Sequence, residues 1–299
     1  MEIRGLNNKD ELAELFDVYE RVFKKTPLRY FQNRLLNDPY FVPQDVRVAI
    51  EEGRIVSTVT VYRREMYWKG QSVTFGGIGN VATLPGYGGK GLSTRVMQDA
   101  LNYMRENGFP LSILFTGING FYERFGFHTV PAWHAEFFVP ETVPAKFEVR
   151  EFRPTDFEPV RRLYQRFNQN RSGALLREAA YWRANLLFAE ENELFLVAET
   201  DTVEAYMRLV PGNPKGEIWE FAYSDVHAFV QLLFSAAQRL RKNTVQTAAL
   251  IPKNFFDQAM PVKVEYEASE IAMYKILEPD MREMADGFAE YCFWWTDNF

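Results

Sequence analysis

The chain is poor in the residues that build metal and disulfide chemistry. Its 299 residues hold one cysteine, Cys292, and three histidines, His128, His134 and His227. A single cysteine excludes an intrachain disulfide and a cysteine-based metal site, and three scattered histidines argue against zinc, so no metal is expected. Cys292 lies in FAEYCFWW, where nothing supplies a base, and it reads as apolar filler rather than a nucleophile. Positive charge is also short. The 34 Lys and Arg against 40 Asp and Glu leave −6, whereas a nucleic-acid footprint needs a basic face. No apolar run approaches the roughly 20 residues that cross a bilayer. The opening MEIRGLNNKDELAEL is too polar for a signal peptide. Neither nucleic acid nor membrane is an expected partner, and the expected location is cytoplasmic.

Apolar bulk is plentiful. Hydrophobic residues make up 47% and aromatics 16%, with 26 Phe, enough for the thick cores of two ordinary domains. A weak repeat supports two. EIRGLNNKDELAELFDVYER (2–21) parallels EVREFRPTDFEPVRRLYQR (148–166): a short strand, a polar turn with Asp10 or Asp156 as candidate N-cap, then an amphipathic helix. VRVAIEEGRIVSTVTVYR (46–63) and LFLVAETDTVEAYMRLV (194–210) each alternate, turn and alternate again, as hairpins do. The copies then diverge. In the first, SVTFGGIGNVATL leads through glycines to a helix ending at Gly108, then to a strand PLSILFT and to GFYERFGF. In the second, EIWEFAYS runs straight into DVHAFVQLLFSAAQRLRKN with Asp225 as N-cap, followed by VQTAALI and a short helical NFFDQAM. The boundary falls near PETVPAKF (140–147), and the last twenty or so residues are too aromatic for a solvated linker.

Residues 79–96 read GNVATLPGYGGKGLSTRV, five glycines and a proline between an apolar run and a helical pattern. Unpaired amides at a helix start, with glycines that let the backbone curl, make an anion nest. Lys90 adds a charge there, and Ser93 and Thr94 add hydroxyls. The same composition also suits a mobile turn. A P-loop places Lys directly before Ser or Thr, but Lys90 is followed by Gly91. A dinucleotide fingerprint follows an N-terminal strand, whereas GYGGKG follows a hairpin.

The arrangement resembles the pyrophosphate loop of the GNAT N-acetyltransferases. That family ends its fourth strand V-x-x-x-P and opens the next helix with R/Q-x-x-G-x-G/A. Here Val81-Ala82-Thr83-Leu84-Pro85 ends the strand and Gly88-Gly89-Lys90-Gly91-Leu92-Ser93 covers the loop. A second family signature, N…Y-x-x-x-G-F, is met by Asn119 and by Tyr122 with Gly126-Phe127. Together with WKGQSVTFGGIGNVATLP, FYERFGF and the degenerate second copy, the chain resembles the tandem-GNAT acetyltransferases of the Eis (enhanced intracellular survival) type.

The resemblance implies an α/β (α+β) fold of two tandem GNAT-like acyl-CoA N-acyltransferase domains, with mixed central sheets flanked by helices. It implies a catalytic domain at 1–143, a degenerate second domain at 147–279 and an aromatic tail at 280–299. Members of this type usually carry a further sterol-carrier-like domain, which this chain is expected to lack. They assemble into oligomers, which leaves homo-oligomerisation open here.

The function implied is acetyl-CoA-dependent transfer of an acetyl group to a primary amine of a small molecule or peptide. Val81, Ala82 and Thr83 are expected along the pantetheine arm. Gly88, Gly89, Lys90, Gly91, Leu92, Ser93 and Thr94 are expected around the pyrophosphate, and Asn119 completes the cofactor set. Where the family has Arg or Gln, this chain has Gly88, so acetyl-CoA binding weaker by about an order of magnitude is expected from one missing charge-assisted contact. That departure favours an alternative, a catalytically weakened CoA-binding or regulatory module. A further alternative is a longer acyl-CoA, for which glycines 76, 77 and 79 offer room.

Tyr122 is the expected proton donor to the departing thiolate, core packing being its other reading. The strand segment FGGIGN carries no carboxylate to act as base. Asp17 and Glu20 are candidates, and so is Phe299, whose α-carboxylate reaches the active site in Eis-type proteins. Otherwise Trp294, Trp295 and Phe299 cap a hydrophobic seam between the domains. Tyr223-Ser224-Asp225 offers no nest, so the second domain is expected to bind no CoA and to close one side of the acceptor groove. PLRYFQNRLLNDPYF offers another wall.

Overall fold

The computed structural model describes residues 1–189, 192–212, 216–256 and 260–299. The first half runs β1 (Glu2–Gly5), α1 (Leu12–Val22), α2 (Leu28–Leu36), β2 (Val46–Glu51), β3 (Arg54–Trp68), β4 (Gln71–Thr83), α3 (Leu92–Glu106), β5 (Leu111–Phe115), α4 (Asn119–Glu123), β6 (His128–Thr129) and β7 (Ala132–Phe138). The second runs β8 (Glu148–Glu151), α5 (Phe157–Asn168), α6 (Ala179–Leu187), β9 (Leu194–Glu199), β10 (Val203–Val210), β11 (Gly216–Tyr223), α7 (Val226–Leu240), β12 (Thr244–Thr247), β13 (Lys263–Ser269) and β14 (Ala272–Ile276). Part of NFFDQAM, residues 257–259, lies outside the described residues.

Two seven-stranded mixed sheets result, ordered β1-β2-β3-β4-β5-β14-β6 and β13-β7-β12-β11-β10-β9-β8. The fold is the α/β class expected. Both expected hairpins are present, the first closed by Glu52 and Gly53 in the left-handed region (φ 53 and 75), which two-residue turns favour. One feature was not legible: the halves exchange strands. β7, from the first half, pairs with β12 and β13, and β14, from the second, pairs with β5 and β6. No single cut in the chain separates the sheets.

Helix starts follow local chemistry. Before α1 it is Asn8, not Asp10, that caps, its side chain accepting from the Asp10 amide at 2.8 Å. Asp156 accepts from the Arg153 amide at 2.7 Å, and Asp225 caps α7 by accepting from the His227 amide at 2.8 Å. Helices α1 and α2 cover one face of the first sheet, where Tyr19 and Phe31 pack with Tyr62 and Ala82; α3 covers the other with Val96, Met97 and Met104 against Val61 and Ile78. Alternation along β4 therefore aims Gly76 at α3 and Gly77 and Gly79 at the opposite face.

The last residues form a strap across both halves. Phe293 exchanges backbone hydrogen bonds with Leu250 at 2.7 and 2.9 Å, and the Trp294 indole donates to Asn168 at 3.0 Å. Asp297 is fully buried and ion-paired to Arg177 at 2.6 Å, and Arg177 also grips Glu220 at 2.6 Å. Asn185 donates to the Thr296 carbonyl at 2.8 Å and Tyr206 to Glu220 at 2.6 Å, so the cluster is hydrogen-bonded on every side. Burial pushes the Asp297 carboxyl up, while against the same penalty the Arg177 charge holds Glu220 down. Cys292 is buried, and its thiol is pushed up to about 12 by burial, which leaves it inert.

Candidate active site

Strand β4 is paired with β5 over three residues only, Gly76 to Ile78 against Ser112 to Leu114. Beyond Ile78, β4 runs on to Thr83, while β5 ends at Phe115 and the chain turns away, the Thr116 amide donating to Ile271 at 2.7 Å. The cause is in β4 itself. Asn80 adopts φ 49, the register against β3 shifts between Thr58 and Thr60, and the Asn80 amide donates to the Tyr62 hydroxyl at 2.8 Å. A bulge of this kind bends a strand away from its neighbour. The result is a wedge whose β4 wall, from Gly79 to Thr83, presents main-chain groups with no strand partner on the β5 side among the described residues.

Val81, Ala82 and Thr83 form that wall. Ala82 is buried against the α1 face, Val81 packs toward α3, and the Thr83 hydroxyl lies 2.8 Å from Ser57 and 3.5 Å from Ser93. The glycine loop follows. Gly86, Gly89 and Gly91 hold φ of 89, 77 and 71, a region that L side chains rarely adopt. Among the described residues no hydrogen bond reaches the amides of Gly88, Gly89, Lys90, Gly91, Leu92, Ser93 or Thr94. Buried Leu92 pins the start of α3, Thr94 is exposed, and the helix start faces outward with its donors unspent. A free strand edge leading to seven unspent amides suits the extended, amide-bearing arm and paired phosphates of an acyl-CoA.

Positive charge near this loop comes from Arg21, Lys24 and Arg54, which line a pocket with Leu84, Pro85 and Tyr87, and from Lys90. Lys90 is half-exposed, 3.7 Å from Glu51 and over the Tyr87 ring at 4.8 Å. Gly88 has an ordinary φ, and a Cβ built there meets nothing within 4 Å. The backbone can therefore carry the arginine found in the family without strain. Gly88→Arg is expected to tighten acetyl-CoA binding about tenfold, read by isothermal titration, from one added charge-assisted contact. Unaltered affinity would show that the phosphates do not lie at this loop.

Tyr122 sits in the single turn of α4, its ring 7% exposed and edge-on to Phe121 and Phe127 at 4.9 and 6.2 Å. Burial raises its pKa, so the hydroxyl keeps its proton at neutral pH. No hydrogen bond to that hydroxyl is found among the described residues. Asn119, one turn earlier, spends its amide nitrogen on Thr129 at 3.1 Å and the Glu270 carbonyl at 2.8 Å, clamping α4 to β6 and to the turn before β14. Asp17 is exposed and paired to Arg21 at 2.9 Å, and Glu20 is exposed.

Phe299 comes to the wedge. A Cβ on Gly77 would lie 2.5 Å from the Phe299 ring, and one on Gly79 would lie 2.9 Å from the Phe299 main-chain carbon and 3.1 Å from its oxygen. The ring stacks on Tyr62 at 5.6 Å and meets Phe115, the last residue of β5, at 5.2 Å. The glycines at 77 and 79 are thus filled by the strap, and Gly76 by Met104. Asn298 holds the approach, accepting from the Tyr30 hydroxyl at 2.9 Å and from Arg34 Nε at 3.4 Å.

The second sheet repeats the wedge and closes it. β11 pairs with β12 in parallel only from Gly216 to Ile218. Past that point Glu220 is bound to Arg177, and Trp294 packs on Phe221 at 4.9 Å. The Asp225 carboxylate occupies the start of α7 and pairs with Lys146 at 3.1 Å, leaving no vacant anion nest.

Residues 2–130 match the acetyltransferase (GNAT) domain family. They are a GNAT acetyltransferase domain. No curated protein matches the chain. Solved structures share the fold at low identity. A conserved protein of unknown function from Enterococcus faecalis V583, described as a probable N-acyltransferase, has a TM-score of 0.75 at 17% identity, covering 93% of this chain and 73% of that one. Eis1 from Mycobacterium abscessus has 0.67 at 15%, covering 93% and 74%. Saccharomyces cerevisiae N-myristoyltransferase, solved with myristoyl-CoA, has 0.58 at 11%, covering 92% and 79%. The GNAT domain ends just before β7, at the strand exchange.

The residues that set the Phe299 position, Arg177, Glu220 and Asp297, carried no sequence signal. They are 43 and 120 residues apart in the chain and belong to no local pattern.

Proposed function

We propose that the chain is an acetyl-CoA-dependent N-acetyltransferase acting on a primary amine of a small molecule or peptide. The observation that carries this reading is the unpaired edge of β4 past Ile78, which leads to the unspent amides of Gly88 to Thr94. Acetyl-CoA supplies an acetyl thioester; the chain supplies everything that positions and deprotonates. Val81, Ala82 and Thr83 line the pantetheine arm, and the glycine loop with Lys90, Ser93 and Thr94 holds the pyrophosphate, with Asn119 fixing the turn that carries Tyr122. An alkylammonium with a pKa of roughly 10 must lose a proton before it attacks. Phe299 packs against Gly77 and Gly79 at the β4 bulge and shapes that end of the wedge. Tyr122, protonated, donates to the departing sulfur.

The division of labour follows. Apart from the exchanged strands β7 and β14, residues 1–143 carry the reaction and residues 147–279 form the degenerate partner, with 280–299 strapping the two together. The second wedge, filled by protein, gives the partner a supporting role.

Release of free thiol from acetyl-CoA across an amine panel tests the reading. Tyr122→Phe is expected to lower kcat about a hundredfold with little change in cofactor affinity. Thiol release by Tyr122→Phe at the parent rate would remove the hydroxyl from the chemistry. The second reading, a CoA-binding or regulatory module with weakened catalysis, is favoured by Gly88 and by the Glu51 partner of Lys90. It predicts acetyl-CoA binding with no thiol release for any amine.

A further inference from the structure

Leu84, Pro85 and Tyr87 lie between the free edge of β4 and the glycine nest, and the same three residues wall an opening of about 300 Å³. Across it stand Arg21 at the end of α1, Lys24 just past it, and Arg54, the first residue of β3. Among the described residues no carboxylate lines this opening. Arg21 is tied to Asp17, one helical turn back, at 2.9 Å, with both side chains about half exposed. An exposed pair of that kind is weak and gives way to a stronger anion. The side chains of Lys24 and Arg54 are exposed and have no ion pair or hydrogen bond among the described residues. The dipole of α1 accounts for cations near its end, but not for Arg54, which starts a strand.

Tyr87 joins this opening to the nest, since Lys90 Nζ lies over its ring at 4.8 Å. Lys90 itself is 3.7 Å from Glu51, so the nest relies on main-chain amides while the opening holds three cations. The two kinds of donor suit two kinds of phosphate. Each pyrophosphate group of an acyl-CoA carries a single charge, which amides serve well. A phosphomonoester carries roughly −1.5 to −2 at pH 7 and calls for lysine and arginine. Within an acyl-CoA only the ribose 3′-phosphate is a monoester, and one ribose separates it from the pyrophosphate.

We propose that Arg21, Lys24 and Arg54 bind the 3′-phosphate of the acyl-CoA, and that this contact selects CoA over donors that lack it. This rests on the acetyltransferase reading and adds donor selectivity to it. Leu84, Pro85 and Tyr87 give the adenosine an apolar wall beside the charges. The assignment also bears on Gly88. The charge that the loop lacks at that position is supplied from α1 and β3, by residues outside the loop motif.

The test titrates the intact chain with acetyl-CoA and with acetyl-3′-dephospho-CoA by calorimetry. Acetyl-CoA is expected to bind about tenfold or more tighter. Lys24→Ala combined with Arg54→Ala is expected to bring that ratio toward one by weakening acetyl-CoA alone. Lys24→Arg combined with Arg54→Lys is expected to keep most of it. Both positions are exposed, so the melting temperature of the double alanine variant should match that of the parent. Equal affinity of the parent for the two donors overturns the proposal while leaving the acetyltransferase reading in place. A double alanine variant that weakens both donors alike does the same. Failure of the parent to bind either donor overturns the reading and the proposal together. Competition separates the CoA phosphate from a free anion. Adenosine 3′,5′-bisphosphate should displace acetyl-CoA about tenfold more effectively than adenosine 5′-monophosphate. Inorganic phosphate that binds the parent at saturating acetyl-CoA, and is lost in the double alanine variant, would make the opening a separate anion site and overturn the proposal.

Discussion

Replacing Phe299 with alanine is expected to lower kcat about tenfold or more, because it empties the space beside Gly77 and Gly79 at the β4 bulge and loosens the wedge. The ring is held by Tyr62, Phe75, Phe115 and Phe293, and the residues before it by Arg34, Tyr30 and the Arg177 cluster. Thermal melting beside the rate measurement separates a lost site from a lost fold. A Phe299→Ala variant that turns over at the parent rate would remove Phe299 from the site.

Replacing Arg177 with methionine is expected to destabilise the fold by about 3–5 kcal/mol, since it strands two carboxylates in the interior. Glu220 and Asp297 have fully buried side chains, so solvent screening offsets little of this. The melting temperature should fall by roughly 10 °C. The pH dependence follows from the sign of the shifts. Without Arg177, burial is opposed only by the lesser effects of Arg208 and Thr296 on Glu220 and of Arg64 on Asp297, and it lifts the folded pKa values of both carboxyls above the unfolded ones. Such groups favour folding below the unfolded pKa and lose that contribution as pH rises through the folded value. The deficit of Arg177→Met should therefore widen from about pH 5 to about pH 8. A variant as stable as the parent at neutral pH would mean that the strap is not held by this cluster. Activity is expected to fall with stability, because Asp297 stands two residues from Phe299.

Much of the frame was legible in the sequence for local reasons. Alternation set the hairpins of β2–β3 and β9–β10, and Glu52-Gly53 supplied the left-handed pair their turn needs. The passage from Val81 through Gly91 announced an anion nest because glycines and a helix start are neighbours in the chain. The exchange of β7 and β14 was not legible: an alternating strand satisfies either sheet, and pairing is decided by contacts more than a hundred residues away. Asn8 took the cap expected of Asp10 because the chain enters α1 through a short 3-10 turn. The wedge in β4 could be read only in part. Glycines at 76, 77 and 79 read as room for a longer acyl chain, but Met104 and Phe299 fill that space. Arg34 carried no sequence signal of its own, and it is the packing of Tyr30, Phe188 and the strap that buries it.

The two wedges differ in what fills them, and stoichiometry reads that difference directly. Isothermal titration of the intact chain with acetyl-CoA should give one site per chain, at the first sheet, with the second closed by Trp294 and the Arg177 cluster. No heat at millimolar acetyl-CoA, or two sites per chain, would contradict that assignment.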